Sequence, residues 1–318
     1  MSRWFGWTAR TLVAATFVGA AALVQACAAG GGIGAACTVG SDCESGACKD
    51  GACVDVADGG GGPGSGGGDT SSTDSTTTTG TGGGSGACVP TSDGTITRDE
   101  LVLEPGLNAK YLVATNVTFD TAGVDEAGTT TWHLEQAFGG DHLALLEARD
   151  LTGAWYEADF PGATYSARLS ETNDLLGVFE ATDDALLLRG VVSPDDGLYK
   201  TNLAYDPPVR ILQFPLTMGA TWSDDSTVTG YANGVYGFYY ESYDYAIDAR
   251  GDVITPFSTF DSLRAHVTIT QTVGAIVTVR QTVAFVTECF GTIATLGSQA
   301  NETGDEFSDV AEVRRLSP

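Results

Sequence analysis

Cationic side chains are scarce in this chain. Its 318 residues include 15 lysines and arginines against 41 aspartates and glutamates, which gives a formal net charge of −26 at pH 7. Such a surface repels nucleic acid and anionic lipid headgroups. Nucleic-acid binding is therefore excluded from the functions we expect, and the acidic excess is most simply explained by solubility.

Motifs that would identify an enzyme or a cofactor are also missing. The sequence contains no GxSxG, SxxK, HExxH, CxxC or P-loop pattern. Gly62, Gly64 and Gly67 formally spell GxGxxG, but no predicted strand precedes them and no predicted helix follows. We therefore expect no cofactor and no catalytic residues, and paired carboxylates acting on a glycan are the one enzymatic alternative.

Histidine is rare as well, because the chain has only His133, His142 and His266. His133 and Glu135 alternate onto one face of a predicted strand, and His142 lies across a predicted hairpin. These side chains would suit a metal ion, yet a half-exposed strand histidine explains them more simply. We therefore expect no metal site.

The first 26 residues have the arrangement of a secretory signal peptide: a short basic region, an apolar run at 11–24 and a small-residue cleavage site. The apolar run is shorter than the roughly 20 residues of a membrane-spanning helix. It is followed by Val-Gln-Ala-Cys, ending at Cys27, which resembles the lipobox of bacterial lipoproteins. This resemblance implies cleavage before Cys27, lipid on its sulfur and, since Ala28 follows, outer-membrane sorting. The alternative is ordinary cleavage that leaves Cys27 free.

The cysteine count supports lipidation, because seven is an odd number for an exported protein and lipid on one leaves six. Four of the six lie within residues 27–56 at spacings that fit no zinc site, so two disulfides of open connectivity are expected. This segment resembles the short Cys-rich knots behind the anchor of many myxobacterial lipoproteins, which implies no known chemistry. The four cysteines are Cys37, Cys43, Cys48 and Cys53.

Cys88 and Cys289 remain, at the start and near the end of the C-terminal region. We expect a disulfide between them, and two buried free thiols are the alternative. Between the Cys-rich knot and Cys88, residues 57–87 are rich in glycine, serine and threonine and hold no apolar residue larger than alanine. A chain of this composition cannot offset its ordering entropy, so we expect a flexible linker.

From residue 88 to 318, short β-branched and aromatic runs alternate with turn signals, and no window shows helical periodicity. The predicted fold is all-β: a single large antiparallel domain, formed as a curled sheet or an open barrel. Asn233-Gly234 is expected to form a hairpin turn, and Ala249–Gly251 another turn. The predicted strands are 110–117, 129–136, 142–148, 164–172, 175–181, 185–193, 199–205, 221–231, 235–247, 252–254, 263–273, 276–288, 291–296 and 307–316.

Residues 175–318 carry a second resemblance. The segments 211–225 (ILQFPLTMGATWSDD), 248–256 (DARGDVITP) and 262–267 (SLRAHV) resemble an uncharacterised family of secreted β domains from Bacteroidetes and myxobacteria. The resemblance implies a β fold and an exported location. It implies no catalytic residues.

An aromatic run at 231–245 is the feature most suggestive of binding. On a strand, Tyr236, Phe238 and Tyr240 point one way and the intervening odd-numbered residues point the other way. One face is expected to enter the core, while the other offers a flat platform for sugars with a carboxylate nearby; cross-strand tyrosine packing is the alternative. The residues that we assign to ligand binding are Trp222, Tyr239, Glu241, Tyr243 and Tyr245.

Together these features predict a non-enzymatic cell-envelope lipoprotein of the outer membrane, attached by lipid and displaying a β module for binding or surface structure. Its partners would be the membrane and an envelope glycan or another surface protein. One alternative is an open-barrel carrier of lipid or another hydrophobic ligand, and the other is a glycan-active hydrolase. An exposed tyrosine ledge, an enclosed apolar cavity or two convergent acids in a cleft would distinguish the three.

Overall fold

The computed structural model describes residues 88–170 and 174–318, together with the backbone of 48–49 and 52–53. These residues are almost entirely strand and turn, which confirms the predicted all-β class. They contain no helix that is long and apolar enough to cross a bilayer.

The chain divides into two compact units, with the boundary after Val89. In the N-terminal unit, strands β1 (Cys48–Lys49) and β2 (Ala52–Cys53) pair antiparallel, with Cys48 opposite Cys53. The predictions for the signal peptide, Cys27, Cys37, Cys43, the disulfides of the knot and the linker 57–87 fall outside the described residues.

The C-terminal unit, from Pro90 onward, is the β domain. Its strands are β3 (Thr95–Ile96), β4 (Asn108–Thr118), β5 (Val124–Glu126), β6 (Thr129–His133), β7 (His142–Glu147), β8 (Tyr165–Arg168), β9 (Leu176–Ala181), β10 (Ala185–Val192), β11 (Asn202–Gln213), β12 (Leu216–Thr217), β13 (Thr221–Ala232), β14 (Val235–Ile254), β15 (Thr259–Val273), β16 (Ile276–Thr287), β17 (Gly291–Ser298) and β18 (Asp309–Leu316). Two short 3-10 turns lie at Arg98–Glu100 and Glu157–Asp159.

Twelve of these strands form one antiparallel sheet in the order β7-β4-β18-β17-β16-β15-β14-β13-β11-β10-β9-β8. The sheet curls until it is nearly a closed barrel, as predicted. An isolated antiparallel bridge between Arg149 and Ser166 brings the two edges together. The short β6 adds to the second half of β14 in parallel orientation, a pairing that the sequence analysis did not predict.

Most predicted strands coincide with observed ones, and Asn233-Gly234 forms the predicted hairpin turn with positive φ at both residues. The turn predicted at Ala249–Gly251 is wrong, because β14 continues through it with a β-bulge after Ile247. Gly251 is needed there for packing: a Cβ would lie 2.0 Å from the carbonyl oxygen of Thr130 in β6. A glycine in a strand can mark such a close backbone approach as well as a turn.

The core fills the inside of the curled sheet. Its largest fully buried side chains include Trp132, Tyr165, Phe179 and Phe285, and the Trp132 and Phe285 ring centroids are 4.8 Å apart. The predicted disulfide between Cys88 and Cys289 is present.

Candidate functional site

Exposed apolar side chains gather at one end of the sheet. Of the fifteen large apolar side chains that are exposed in the described residues, ten lie around the β13–β14 and β15–β16 hairpin tips and in the β10–β11 connection. Monomeric proteins rarely leave so contiguous an apolar area in water unless it binds something. The ten are Leu198, Tyr199, Tyr231, Val235, Tyr236, Phe238, Tyr240, Val273, Ile276 and Val277.

Four of these rings form a row on the outer face of β13 and β14, which we call the aromatic ledge: Tyr231, Tyr236, Phe238 and Tyr240. The even-numbered residues of β14 point outward because side chains alternate along a strand. Tyr231 pairs with Tyr236 across the hairpin, with ring centroids 5.4 Å apart, and the Phe238 and Tyr240 centroids are 6.2 Å apart. The four side chains are 47% to 64% exposed, so about half of each ring remains available to a ligand.

The ledge leads into a groove on the same outer face, with a volume of about 250 Å³. Strand register builds the groove: Thr227 of β13 pairs with Tyr240 of β14 and with Asp206 of β11, while Asp225 pairs with Ser242. Both carboxylates are exposed. The groove is lined by Asp206, Pro207, Asp225, Thr227, Tyr240, Ser242, Thr270 and Thr272, among others.

Ser242 and Asp225 show how the groove is held in place. The Ser242 hydroxyl donates a hydrogen bond of 2.6 Å to Oδ1 of Asp225, one of the residues that line the groove. Beside Asp225 on β13, Ser226 Oγ donates to the Pro207 carbonyl of β11 over 2.8 Å, which joins the two strands at the groove. The site therefore combines one exposed ring, two carboxylate acceptors and several hydroxyls on a rigid sheet.

The residues that the sequence analysis assigned to ligand binding lie on the opposite, inner face of the same strands. Trp222 stacks on Tyr245 with ring centroids 4.7 Å apart, and Tyr245 stacks on Tyr243 at 6.2 Å. Tyr239 is half-buried, and the other four are buried. The two ring-bearing faces of β14 are present as predicted, and the residues that we assigned to ligand binding lie on the face that is mostly buried, whereas the exposed rings lie on the other face. The sequence does not choose between the two faces, because each carries an acidic residue among its rings, Asp244 on one and Glu241 on the other.

Glu241 belongs to a buried polar network on the inner face. Gln271 Nε2 donates to Glu241 Oε1 over 2.8 Å, and the Tyr243 hydroxyl donates to Oε2. Burial raises the pKa of the Glu241 carboxyl, and hydrogen bonds from Tyr243, Gln271 and Tyr205 offset only part of that effect. Glu241 is also among the residues that line the groove, although it is 2% exposed and both of its carboxyl oxygens accept hydrogen bonds from Gln271 and Tyr243.

His133 was considered as a metal ligand, and the structure surrounds it with two carboxylates. Its Nδ1 lies 3.0 Å from Glu135 Oε1 and its Nε2 lies 3.0 Å from Glu126 Oε1, on opposite edges of the ring. These hydrogen bonds, first that to Glu135 and then that to Glu126, raise the pKa of His133. His142 contacts the carbonyl of Gly140 instead. In 88–170 and 174–318, no three His, Cys, Asp or Glu side chains are grouped so that they would hold a metal ion.

Comparison with known proteins adds no relationship to this geometry. No protein-family model matches the chain, and neither the curated proteins nor the solved structures show a significant match.

Proposed function

We propose that this chain is a cell-envelope lipoprotein whose β domain is a non-catalytic glycan-binding module. The observation that carries the proposal is the row of exposed rings that leads into a groove with two carboxylates. The envelope location is supported by the signal-like residues 1–26 and by the lipobox resemblance ending at Cys27. The linker 57–87 would let an anchored module reach away from the membrane.

Sugar recognition fits the chemistry of the aromatic ledge and the groove. A sugar ring presents apolar C–H faces that stack on aromatic rings, and its hydroxyls need acceptors and donors at the rim. Tyr240 supplies the stacking surface, Asp206 and Asp225 supply acceptors, and Ser242 and the threonines supply both kinds of group. All of them stand on adjacent paired strands, so little ordering entropy is lost on binding.

A hydrolase is less well supported than a binding module. Glycoside hydrolysis needs one carboxyl that stays protonated, which enzymes achieve by enclosing it among apolar groups. Asp206 and Asp225 are both exposed, and Asp225 accepts a hydroxyl hydrogen bond. A lipid carrier is also less well supported, because the apolar hollow at this end of the sheet has a volume of about 160 Å³. Sites for drug-sized ligands usually have about 300–1,000 Å³.

The test is binding of the full-length, detergent-solubilised protein to an array of neutral glycans, followed by titration with the best ligand. We expect Tyr240→Ala and Phe238→Ala each to weaken binding about tenfold, which corresponds to about 1.4 kcal/mol. Leu145→Ala is the matched control, since Leu145 is an exposed apolar residue on β7, six strands away in the sheet order.

Two outcomes would overturn the proposal. One is the absence of glycan binding by the unmodified protein, and the other is equal affinity in the ledge variants and the Leu145→Ala control. Release of reducing sugar from a bound glycan, abolished in Asp206→Asn or Asp225→Asn, would replace the binding module with the hydrolase.

A further inference from the structure

A small apolar hollow lies on the inner face of the β13–β14 hairpin, behind the aromatic ledge. It exists because Gly230 and Gly237 pair directly across the two strands, so neither strand places a side chain there. Aliphatic side chains form its walls, among them Leu203 of β11, Val235 of β14 and Val273 of β15. The hollow has a volume of about 160 Å³.

The two glycines have different reasons to lack a side chain. Gly230 has φ of +137°, and a Cβ there would lie 2.0 Å from the Asn202 carbonyl oxygen, so the approach of β11 requires glycine. At Gly237 no described atom lies within 4 Å of where a Cβ would be. Glycine inside a strand weakens it, and such a glycine often marks a place where a ligand approaches. Backbone packing explains Gly230, whereas Gly237 leaves space that the fold does not use.

The hollow is polar at its more buried end, which we call its floor. Gln271 is buried and Tyr239 is half-buried, whereas Val235 and Val273 of the walls are exposed. Gln271 donates a hydrogen bond to the Glu241 carboxyl. Tyr239 is hydrogen-bonded to Tyr205. A ligand that enters the hollow therefore meets apolar walls first and hydrogen-bonding groups at the bottom.

We propose that this hollow is a second binding site, which takes a small molecule with a single uncharged ring bearing a hydroxyl, of the phenol class. The volume fits one ring, because a dry apolar cavity of about 150 Å³ is known to hold benzene. The hydroxyl matches the Tyr239–Gln271 floor. Carboxylate ligands are disfavoured by the aliphatic walls, which would remove water from their charge, and by the net charge of −26. Tyr236 and Phe238 of the ledge also line the hollow, but its hydrogen-bonding side chains, Tyr239 and Gln271, do not belong to the ledge. Phenol binding is therefore tested separately from glycan binding.

The experiment is a ¹⁹F NMR titration of the full-length protein with 4-fluorophenol, compared with 4-fluorobenzoate and with displacement by 1-hexanol. We expect saturable binding of the phenol, at least tenfold weaker binding of the benzoate and weak displacement by the alcohol. Gly237→Leu should weaken phenol binding at least tenfold, because its side chain grows into the hollow. Gly237→Ala should bind the phenol with an affinity between those of the unmodified protein and of Gly237→Leu. This smaller substitution keeps the test informative if the leucine variant folds poorly.

Gly139→Leu is the matched control, because Gly139 also has no described atom within 4 Å of where a Cβ would be and lies away from the hollow, in the β6–β7 connection. It should bind 4-fluorophenol like the unmodified protein. The proposal is overturned if the phenol shows no saturable binding, if Gly237→Leu and Gly237→Ala bind it as tightly as Gly139→Leu, or if the benzoate or hexanol binds equally well. Glycan binding should survive in Gly237→Leu, which separates failure of this site from failure of the ledge.

Discussion

Glu241 is a carboxyl group enclosed on the inner face of a strand, with 2% of its surface exposed. Its hydrogen bonds to Gln271 and Tyr243 satisfy both oxygens, yet burial still raises its pKa above the ordinary value. The folded protein therefore holds this proton more tightly than the unfolded chain does. Stability from this group is fully present below the unfolded-state pKa, about 4.3, and is lost as the pH rises through the higher folded-state pKa.

Glu241→Gln removes this titration while keeping the size of the side chain and most of its hydrogen bonding. We expect the free energy of unfolding of the variant, relative to the unmodified protein, to increase as the pH is raised from 4 towards 8. The gain is at most about 1.4 kcal/mol per pH unit while the two states differ by one proton. Urea denaturation at several pH values measures it. Glu104→Gln, at an exposed position, is the control, and parallel pH curves for both variants would contradict the prediction.

Single residues also show what the sequence could and could not give about the site. Alternation on β14 predicted two ring-bearing faces, but tyrosines on both sides left the choice between them open. The groove needed Asp206 and Asp225 from two other strands, and their place beside Tyr240 depends on the register of β11 with β13 and of β13 with β14. Side-chain period along one strand carries no information about that register.

At the scale of elements, a buried arginine holds a connecting segment against the sheet through hydrogen bonds and an ion pair. Arg315 of β18 is fully buried and donates to both oxygens of Asp141, at 2.9 and 2.6 Å, and to the carbonyls of Leu134 and Gln136. These contacts hold the β6–β7 connection against β18. A single guanidinium with its fixed fork of donors satisfies acceptors that otherwise would be left buried and unpaired.

Arg315→Met should lower the free energy of unfolding by about 3–5 kcal/mol, because Asp141, whose side chain is 17% exposed, would keep its charge without its ionic partner and with only the Phe138 N–H still donating to it. Arg250→Met removes an arginine of similar type from an exposed pair with Asp261, whose side chains are 38% and 48% exposed. That variant should lose no more than about 1 kcal/mol. Chemical denaturation measures the free energy of unfolding of both variants. Equal decreases would show that Arg315 does not stabilise the β6–β7 connection more than an exposed arginine pair stabilises its own segment.

The sequence predicts well those strands and turns that depend on residues close together in the chain. The hairpin at Asn233-Gly234 and the strands on both sides of it follow from turn chemistry and β-branched runs. The parallel addition of β6 to β14 joins segments about 120 residues apart and has no local signature, so Gly251 was interpreted as a turn. The missing information was tertiary: the partner that approaches the glycine.

At the scale of the whole molecule, two features have opposite effects on contact with a membrane. The exposed apolar side chains at one end of the sheet favour it, and the acidic net charge opposes it. The chain carries a net charge of −26, and cleavage before Cys27 would remove Arg3 and Arg10 but no acid, leaving −28. A body of this charge is repelled by anionic bilayers. Residues 231–240 and 272–279, around two of the apolar tips, contain no basic side chain that would attract a headgroup. Stable attachment to a membrane therefore calls for covalent lipid in the proposed lipoprotein.

Cys27→Ala tests that attachment. Two or three acyl chains, at about 0.8 kcal/mol for each buried CH2 group, would hold the unmodified protein firmly in the membrane fraction. We expect the variant to leave that fraction and to incorporate no radiolabelled palmitate. The double variant Cys88→Ala/Cys289→Ala removes the disulfide-bonded cysteine pair of the β domain and should keep both the label and the membrane location. Palmitate-free Cys27→Ala protein that still sediments with membranes in high salt would mean that the apolar end of the sheet, and not a lipidated thiol, holds this acidic chain at the bilayer.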